Sequence, residues 1–290
     1  MKRFLIPLDF SDNSMPVCNY AIQLAGNEKI ELHLFHIFPD QIMVPDSSFP
    51  VGIDSDTFMN TEYISGLRSV AEKKMKEFRK ELQTEIDKKS LENIKLKSMI
   101  SGGDPEWEIT AICEEIKPFM IIMGTRGEGK KGFLEGSMAE KIMAKATIPV
   151  IAVPESHQKF HLKNVLYATN FSQVDALKIE KLFSILSNFK VAVHVVHFQL
   201  SGKTVHDADK MNGLKTLFKS EFRERNVHFH LITSESKMDS LDEFTKKHAI
   251  DLITFISHKS NFFKSLFSNK ITKKDFFKLE LPMLAMHEEP

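Results

Sequence analysis

The segment from Gly124 to Ser137 combines glycines and basic residues in a pattern that suits anion binding. It contains five of the 12 glycines of the chain, and its three basic residues outnumber its two acidic ones. Glycines allow backbone N–H groups to approach a phosphate closely. A helix predicted to begin at Ser137 would add free N–H donors and a partial positive charge. The segment is therefore predicted to hold phosphate.

Two familiar phosphate-binding motifs do not fit this segment. A Walker A motif ends in Gly-Lys-Ser/Thr after the first strand, whereas this segment follows the fourth predicted strand and ends in Gly136-Ser137. No Gly-x-Gly-x-x-Gly opens the first helix, so the dinucleotide fingerprint is also missing. The glycine pair in Ser101–Asp104 follows the third strand, and we interpret it as a turn that leads into a helix near Pro105.

Strands and helices alternate through the first half of the chain. Short apolar runs predict buried strands, and apolar residues at helical spacing predict helices, the first of them with Ser11 as its N-cap. The predicted strands are 4–8, 30–38, 94–100, 119–123 and 150–153, and the helices are 15–25, 62–88, 106–116 and 137–145. This order predicts a parallel sheet with helices on both faces.

The same pattern is written twice along the chain. Phe4–Ser11 recurs as Val165–Ser172, and Ile148–Ala152 recurs as Leu281–Ala285. The second set of predicted strands is 164–168, 190–198, 227–232, 251–256 and 282–286. A length of 290 residues suits two domains of about 145 residues each. We predict an α/β protein with two doubly wound, five-stranded, Rossmann-like domains in tandem, spanning 1–155 and 162–290.

Ligands of doubly wound sheets bind beyond the carboxyl ends of the strands, where the strand order reverses. Two segments of the first half are predicted to reach that place. One is Leu8–Ser11 after the first strand, and the other is Gly124–Ser137 after the fourth. These two segments are the candidate binding site.

Together these motifs resemble the universal stress protein family. The resemblance is carried by Pro7-Leu8-Asp9-Phe10-Ser11, by the late glycine loop that closes on Gly136-Ser137, and by Ile148-Pro149-Val150. The family spacing is Gly-x2-Gly-x9-Gly-Ser/Thr; here Gly124-x2-Gly127 fits, and eight residues separate Gly127 from Gly136. Both halves are covered, so the chain is similar to the tandem-domain members, whose fold is adenine nucleotide alpha hydrolase-like.

The resemblance implies a site for ATP or AMP, with or without Mg²⁺. It implies that Asp9 accepts a hydrogen bond from the adenine amino group, that Ile37 flanks the base, and that the glycine loop binds ribose and phosphates. The implied nucleotide-binding residues are Leu8, Asp9, Ile37, Met123, Gly124, Arg126, Gly127, Gly136, Ser137 and Met138.

The second half has lost the residues that carry this site. Gly124, Gly127, Gly136 and Ser137 correspond to Ser257, Ser260, Asn269 and Lys270, and Asp9 corresponds to Asn170. A Cβ at a left-handed backbone position costs about 1–2 kcal/mol, so the loop is expected to follow another path. We predict that the second half binds no nucleotide.

Histidines and cysteines offer little metal or redox chemistry in the sequence. His194 and His197 are predicted to face opposite sides of one strand, and His228 and His230 share a face but supply only two ligands. His258 lies in the degenerate loop, and no metal site is predicted. The two cysteines, Cys18 and Cys113, are expected to be packed thiols in a reducing, cytoplasmic setting.

A basic, Phe-rich segment in the second half allows two interpretations. Residues 259–278 contain six lysines, one aspartate and five phenylalanines. We favour a loop that packs its aromatic rings inward beneath solvated lysines, and the alternative is a contact for a partner or an anionic surface.

Charge and hydropathy exclude several classes of partner. Lys and Arg total 39 and Asp and Glu total 39, so no nucleic-acid partner is expected. The sequence contains no run of about 18 apolar residues, so no membrane-spanning helix is predicted. The leading hypothesis is a cytoplasmic stress-response regulator that binds ATP or AMP in its first domain and contacts an unidentified protein, and the resemblance also implies a homodimer. The alternatives are an interaction module without nucleotide and a slow ATPase, for which no catalytic residue is predicted.

Overall fold

The structure is a computed structural model that describes residues 1–40, 53–125, 138–157, 160–200, 205–221, 226–234, 237–257 and 279–287. In its described part, the first half alternates five strands with four helices. Its strands are β1 (Lys2–Pro7), β2 (Ile30–Phe38), β3 (Ile94–Gly102), β4 (Met120–Gly124) and β5 (Val150–Val153). Its helices are α1 (Ser14–Ala25), α2 (Ile53–Lys88), α3 (Pro105–Ile116) and α4 (Met138–Lys145).

The second half repeats the strand pattern with three described helices. Its strands are β6 (Asn164–Ala168), β7 (Ala192–Leu200), β8 (Val227–Ser234), β9 (Leu252–Ser257) and β10 (Met283–His287). Its helices are α5 (Asp175–Ile185), α6 (Val205–Glu221) and α7 (Lys237–Lys247). None of the helices in the described part of the chain is long and apolar enough to cross a membrane.

All ten strands form one continuous sheet. Its order is β3-β2-β1-β4-β5-β10-β9-β6-β7-β8, so each half is a five-stranded parallel sheet whose order reverses beside its first strand. The halves meet where β5 and β10 pair antiparallel, with Leu284 opposite Ile151. The predicted α/β, doubly wound fold is confirmed.

Helices cover both faces of the sheet, and each face has an apolar core that runs through both halves. One core lies beneath α1, α2, α5 and α6 and includes Leu32, Ile151, Leu284 and Val193. The other lies beneath α3, α4 and α7 and includes Leu5, Ala152, Met283 and Leu241. The β5–β10 junction is therefore packed on both sides.

Two helix boundaries differ from the sequence predictions. Ser11 is not the N-cap of α1, because the helix begins at Ser14 and the cap position is Asn13, which makes no side-chain cap bond. The N–H of Ser11 instead donates to Asp9 Oδ1 at 3.0 Å, which tightens the preceding turn and delays the helix. Helix α2 begins at Ile53 rather than near residue 62, so it has 36 residues.

Candidate functional site

The ends of β1, β2 and β4 meet at the point where the strand order of the first half reverses. β1 pairs with β4 through Phe4 and Met120, and the N–H of Leu8 donates to the carbonyl of Phe35 in β2 at 2.9 Å. This register carries Leu8, Asp9, Ile37 and Gly124 to one edge of the sheet. The candidate site predicted from the sequence is thus assembled there in its described part.

Asp9 shapes the turn that leaves β1. Its Oδ1 accepts hydrogen bonds from the Ser11 N–H at 3.0 Å and from the Ser14 hydroxyl at 3.3 Å, and the residue is half-buried. These bonds hold the carboxylate at the carboxyl edge of the sheet and link it to Ser14, the first residue of α1. A fixed, half-buried carboxylate is a strong acceptor for an N–H group of a ligand.

Phe10 and His36 brace this turn, and the sequence analysis did not single them out. Phe10 has a φ of 62°, a left-handed conformation that is unusual for a bulky residue. Its ring lies 4.3 Å from the ring of His36, whose Nδ1 is 2.9 Å from the carbonyl oxygen of Leu8. The amine of Lys74 lies 6.0 Å from the Phe10 ring. Backbone strain held in this way by neighbouring side chains is typical of functional turns.

Asn13 ties the start of α1 to the far side of the site. Its Nδ2 donates to the carbonyl of Val153 at 3.4 Å, and the same carbonyl accepts from the N–H of Thr125 at 3.1 Å. Asn13 is buried, and its Oδ1 has no hydrogen-bond partner among the described residues. The β1–α1 turn is therefore fastened to the beginning of the glycine loop.

Apolar side chains line the same edge. Ile37 and Met138 are half-buried and pack against the core that contains the buried Met123, and Leu8 is buried beside the turn. The described part of the site thus joins a carboxylate acceptor to a half-exposed apolar surface, which fits a purine base with an amino group. Four of the predicted residues, Arg126, Gly127, Gly136 and Ser137, lie outside the described residues.

The brace recurs in the second half at a spacing of 161 residues. Phe171 has a φ of 60°, its ring lies 4.3 Å from that of His197, and Nδ1 of His197 is 2.8 Å from the carbonyl oxygen of Thr169. Lys210 lies 5.8 Å from the Phe171 ring. The repetition of Phe and His at one spacing is a sequence signal that would have found this pair. The brace is therefore part of the duplicated fold.

The carboxylate, by contrast, occupies different places in the two halves. Asn170 stands at the position of Asp9, and Asp175 stands at the position of Ser14. Asp175 is fully buried, and its carboxylate accepts hydrogen bonds from the Tyr167 hydroxyl at 2.7 Å and from the Thr169 hydroxyl. Burial, followed by the charge of Asp175, raises the pKa of Tyr167 well above its usual value. The acidic group of the second half is thus engaged inside the protein.

Neither a metal-binding cluster nor a low-pKa thiol is found in the described part of the chain. No group of three or more His, Cys, Asp and Glu side chains there is arranged to hold a metal ion. Burial raises the pKa of the Cys18 thiol strongly and that of Cys113 to about 12. Packed, unreactive thiols were predicted, and these shifts agree with that interpretation. His258 and the basic segment 259–278 lie outside the described residues.

The first half of the chain matches known protein sequences. The model of the universal stress protein family matches residues 1–154. The chain belongs to the universal stress protein family. Over 154 residues, 52% of this chain and 81% of its relative, it is 31% identical to universal stress protein MJ0531 of Methanocaldococcus jannaschii. Over 153 residues, 52% of this chain and 98% of its relative, it is 24% identical to universal stress protein YxiE of Bacillus subtilis.

Solved structures match the whole chain. A universal stress protein from Archaeoglobus fulgidus aligns with 99% of this chain and 96% of its own, with a TM-score of 0.61 and 18% identity. A protein of unknown function from Pseudomonas aeruginosa PAO1 aligns with 100% of this chain and 93% of its own, with a TM-score of 0.61 and 13% identity. At these identities the match is to the fold, and it includes both halves.

Proposed function

We propose that the first half binds an adenine nucleotide, ATP or AMP, and that the protein is a stress-response regulator whose surface depends on nucleotide occupancy. The observation that carries this proposal is the placement of the fixed Asp9 carboxylate at the same sheet edge as the half-exposed Ile37 and Met138. The family to which the chain belongs supports the stress-response role.

The described residues have distinct tasks in this proposal. Asp9 accepts a hydrogen bond from the exocyclic amine of adenine, and Ile37 and Met138 pack against the faces of the base. The glycine loop that begins at Gly124 supplies backbone N–H groups for the phosphates, and Mg²⁺ accompanies a bound triphosphate. Because a carboxylate cannot donate a hydrogen bond, Asp9 selects adenine over a base that presents an oxygen at that position.

The second half is proposed to bind no nucleotide. Its loop carries Asn170 where the first half has Asp9, and its own carboxylate, Asp175, is buried and accepts hydrogen bonds from two internal hydroxyl groups. A ligand there would compete with buried hydrogen bonds to a charged group, which contribute about 1.5–3 kcal/mol each. The second half is then a structural counterpart that completes the sheet.

Isothermal titration of the full chain with ATP, AMP and GTP tests the proposal. We expect one saturable adenine-nucleotide site per chain and weaker binding of GTP. Replacement Asp9→Ala removes a hydrogen bond to a charged acceptor and is expected to weaken binding about 10- to 150-fold. Replacement Gly136→Val places a branched side chain in the phosphate loop and is expected to weaken binding as well.

The matched control is Asn170→Ala, which makes the same change at the corresponding turn of the second half. We expect it to leave the affinity and the stoichiometry unchanged. Circular dichroism of each variant separates loss of binding from loss of folding. The absence of saturable binding in the wild type, or equal affinities for wild type and Asp9→Ala, would refute nucleotide binding and leave the interaction module as the alternative.

The proposed assembly is a homodimer, and the proposed target of the nucleotide-bound form is another protein. β5 and β10 pair with each other within the chain, so their edges are not available to pair with a second copy. A dimer would therefore use another surface. Size-exclusion chromatography with light scattering, with and without ATP, measures this directly. A monomer under both conditions would contradict the dimer.

A further inference from the structure

Four histidines from three elements of the second half form a cluster that the sequence analysis did not anticipate. His194 lies on β7, His228 and His230 lie on β8, and His248 directly follows α7. The ring centre of His194 is 5.1 Å from that of His228, 5.3 Å from that of His230 and 4.9 Å from that of His248. We call these four residues the histidine cluster.

A hydrogen bond inside the cluster requires neutral imidazole. Nδ1 of His194 and Nε2 of His230 are 3.1 Å apart, so one nitrogen donates a proton and the other accepts it. If both rings are protonated, both nitrogens carry hydrogen and neither can accept. Protonation of the pair therefore replaces an attractive contact with repulsion between two cations.

The cluster also holds α7 against the sheet. The ring of Phe244 on α7 stacks on His248 at 4.2 Å and meets the edge of His230 at 5.0 Å. Phe244 and Leu241 are buried in the core beneath α7. Neutral histidine rings thus form part of the apolar contact between α7, β7 and β8.

The side-chain charges that lower pKa values in the cluster are, among the described residues, positive. They come from Lys215 on α6 and Lys247 on α7, while Lys246 is paired along α7 with Asp242 at 2.6 Å. Among the described residues, no carboxylate forms an ion pair or hydrogen bond with any of the four rings. Burial, followed by the other rings of the cluster, lowers the pKa of His194 to about 4. Burial, followed by His248, His228 and the two lysines, lowers that of His230 to about 4. The pKa of His248 is lowered too, by burial and then by Lys247 and His228.

The first half shows a different solution at the corresponding place. His33 stands 161 residues before His194, and its Nε2 lies 3.2 Å from Oε2 of Glu31. Glu31 is also 3.4 Å from the amine of Lys97 and 3.6 Å from that of Lys95. The pKa of His33 is also lowered, chiefly by burial, but the carboxylate of Glu31 favours its protonated form, whereas no carboxylate among the described residues contacts His194.

We propose that the histidine cluster is an acid-sensitive contact whose protonation releases α7 from β7 and β8 while the first half stays folded. Release would expose the apolar side of α7, with Leu241 and Phe244, to solvent or to a partner. The second half, which has lost the nucleotide-binding residues, would thereby respond to acid. This inference stands independently of nucleotide binding.

The direction of the effect follows from proton linkage. A ring in the released state regains an ordinary pKa near 6.5 and binds a proton that the packed state excludes. Acid therefore favours release, and the packed state is fully favoured only above that pH. For a ring with a pKa of about 4 in the packed state, lowering the pH from 7.5 to 5.0 raises the equilibrium constant for release about 25-fold.

Hydrogen exchange of the full chain, read by mass spectrometry and corrected for intrinsic exchange at each pH, tests the proposal. Between pH 7.5 and pH 5.0 we expect protection of α7 and β8 to fall about tenfold or more, while protection of α3 in the first half stays constant. Constant protection of α7, or an equal loss in α3, would overturn the proposal, because the second result would mean global unfolding.

Histidine variants test whether the four rings of the cluster cause the acid-dependent loss of protection. The double replacement His194→Gln with His230→Gln is expected to abolish the selective loss of protection at pH 5.0. Should that variant fail to fold, His248→Gln removes one half-exposed ring and is expected to reduce the loss. His161→Gln changes an exposed histidine outside the cluster and is expected to behave as the wild type. If the acid response persists unchanged in the cluster variants, the rings are not its cause.

Discussion

Tyr20 and Tyr167 are both buried, but their hydroxyl groups are in opposite situations. The hydroxyl of Tyr167 donates to the carboxylate of Asp175 at 2.7 Å, which also binds the Thr169 hydroxyl. The hydroxyl of Tyr20 has no hydrogen-bond partner among the described residues. Since a buried polar group contributes to stability only when it is paired, the same chemical change should have different effects at these two sites.

Replacement of each tyrosine by phenylalanine measures this difference. We expect Tyr167→Phe to lower the free energy of unfolding by about 1.5–3 kcal/mol, because it removes a hydrogen bond to a charged group. Tyr20→Phe removes an unpaired buried hydroxyl group and should leave the free energy of unfolding unchanged or raise it. Urea denaturation at pH 7.5 gives both values. Equal losses in the two variants would show that the Tyr167–Asp175 bond is not a special source of stability.

At the scale of single residues, the sequence shows which residues lie at strand ends, but it does not show which distant residues come into contact. Asp9 and Gly124 could be placed because the ends of parallel strands meet at one edge, whereas Ile37 came from the family resemblance. The histidine cluster could not, because β7 and β8 bring His194 opposite His228 only through their register. No local pattern shows that His248 will fold back onto them.

Among the helices with a described N-cap, α1, α3 and α5, side-chain cap hydrogen bonds are found at α3. Asp104 accepts hydrogen bonds from the N–H groups of Glu106 at 2.9 Å and Trp107 at 3.2 Å, and Pro105 follows it as the first helical residue. These bonds satisfy two of the donors that a helix N-terminus leaves free. They fix the start of the helix that was predicted near Pro105. Of the two glycines before Asp104, Gly102 ends β3, and Gly103, with a φ of 143°, connects the strand to the cap.

Removal of this cap should destabilise the protein by a measurable amount. We expect Asp104→Ala to lower the free energy of unfolding by about 0.5–2 kcal/mol. Asp12→Ala is the control, because Asp12 is an exposed aspartate in a turn next to α1. Thermal and urea denaturation measure both. A loss in Asp104→Ala no greater than that in Asp12→Ala would contradict the role of the cap.

Helix starts were harder to predict where two signals compete. Ser11 is a good capping residue by type, but its N–H donates a hydrogen bond to Asp9 and Phe10 adopts a left-handed conformation. The chain therefore makes a further turn before α1 begins. The early part of α2 was missed because its residues follow no clear apolar period. Local propensity decides such boundaries only when tertiary contacts leave the choice open.

For the whole molecule, the junction of β5 and β10 joins two similar halves through one sheet and two shared apolar cores. Both apolar cores cross it, and His287 at the end of β10 lies 2.8 Å from the carbonyl oxygen of Met143 in α4. The duplication could be predicted from repeated motifs in the sequence. The continuity of the cores could not, because it depends on which side chains of β5 and β10 face the same side.

Leu284 offers the sharpest test of this coupling. It is fully buried in β10, between β5 of the first half and β9 of the second, and belongs to the core that also contains Leu32 and Val193. Leu284→Ala should cost about 2–5 kcal/mol, since it removes buried methyl groups and leaves a cavity. Because the core is shared, we expect both halves to lose stability although the change lies in the second. Hydrogen exchange in increasing urea, followed on peptides from β2 and from β7, measures the unfolding midpoint of each half. We expect Leu284→Ala to lower both midpoints together. The control is Leu177→Ala on the exposed side of α5, which should leave both midpoints unchanged. A shift of the β7 midpoint alone would mean that the halves unfold independently and that the junction joins two separate domains.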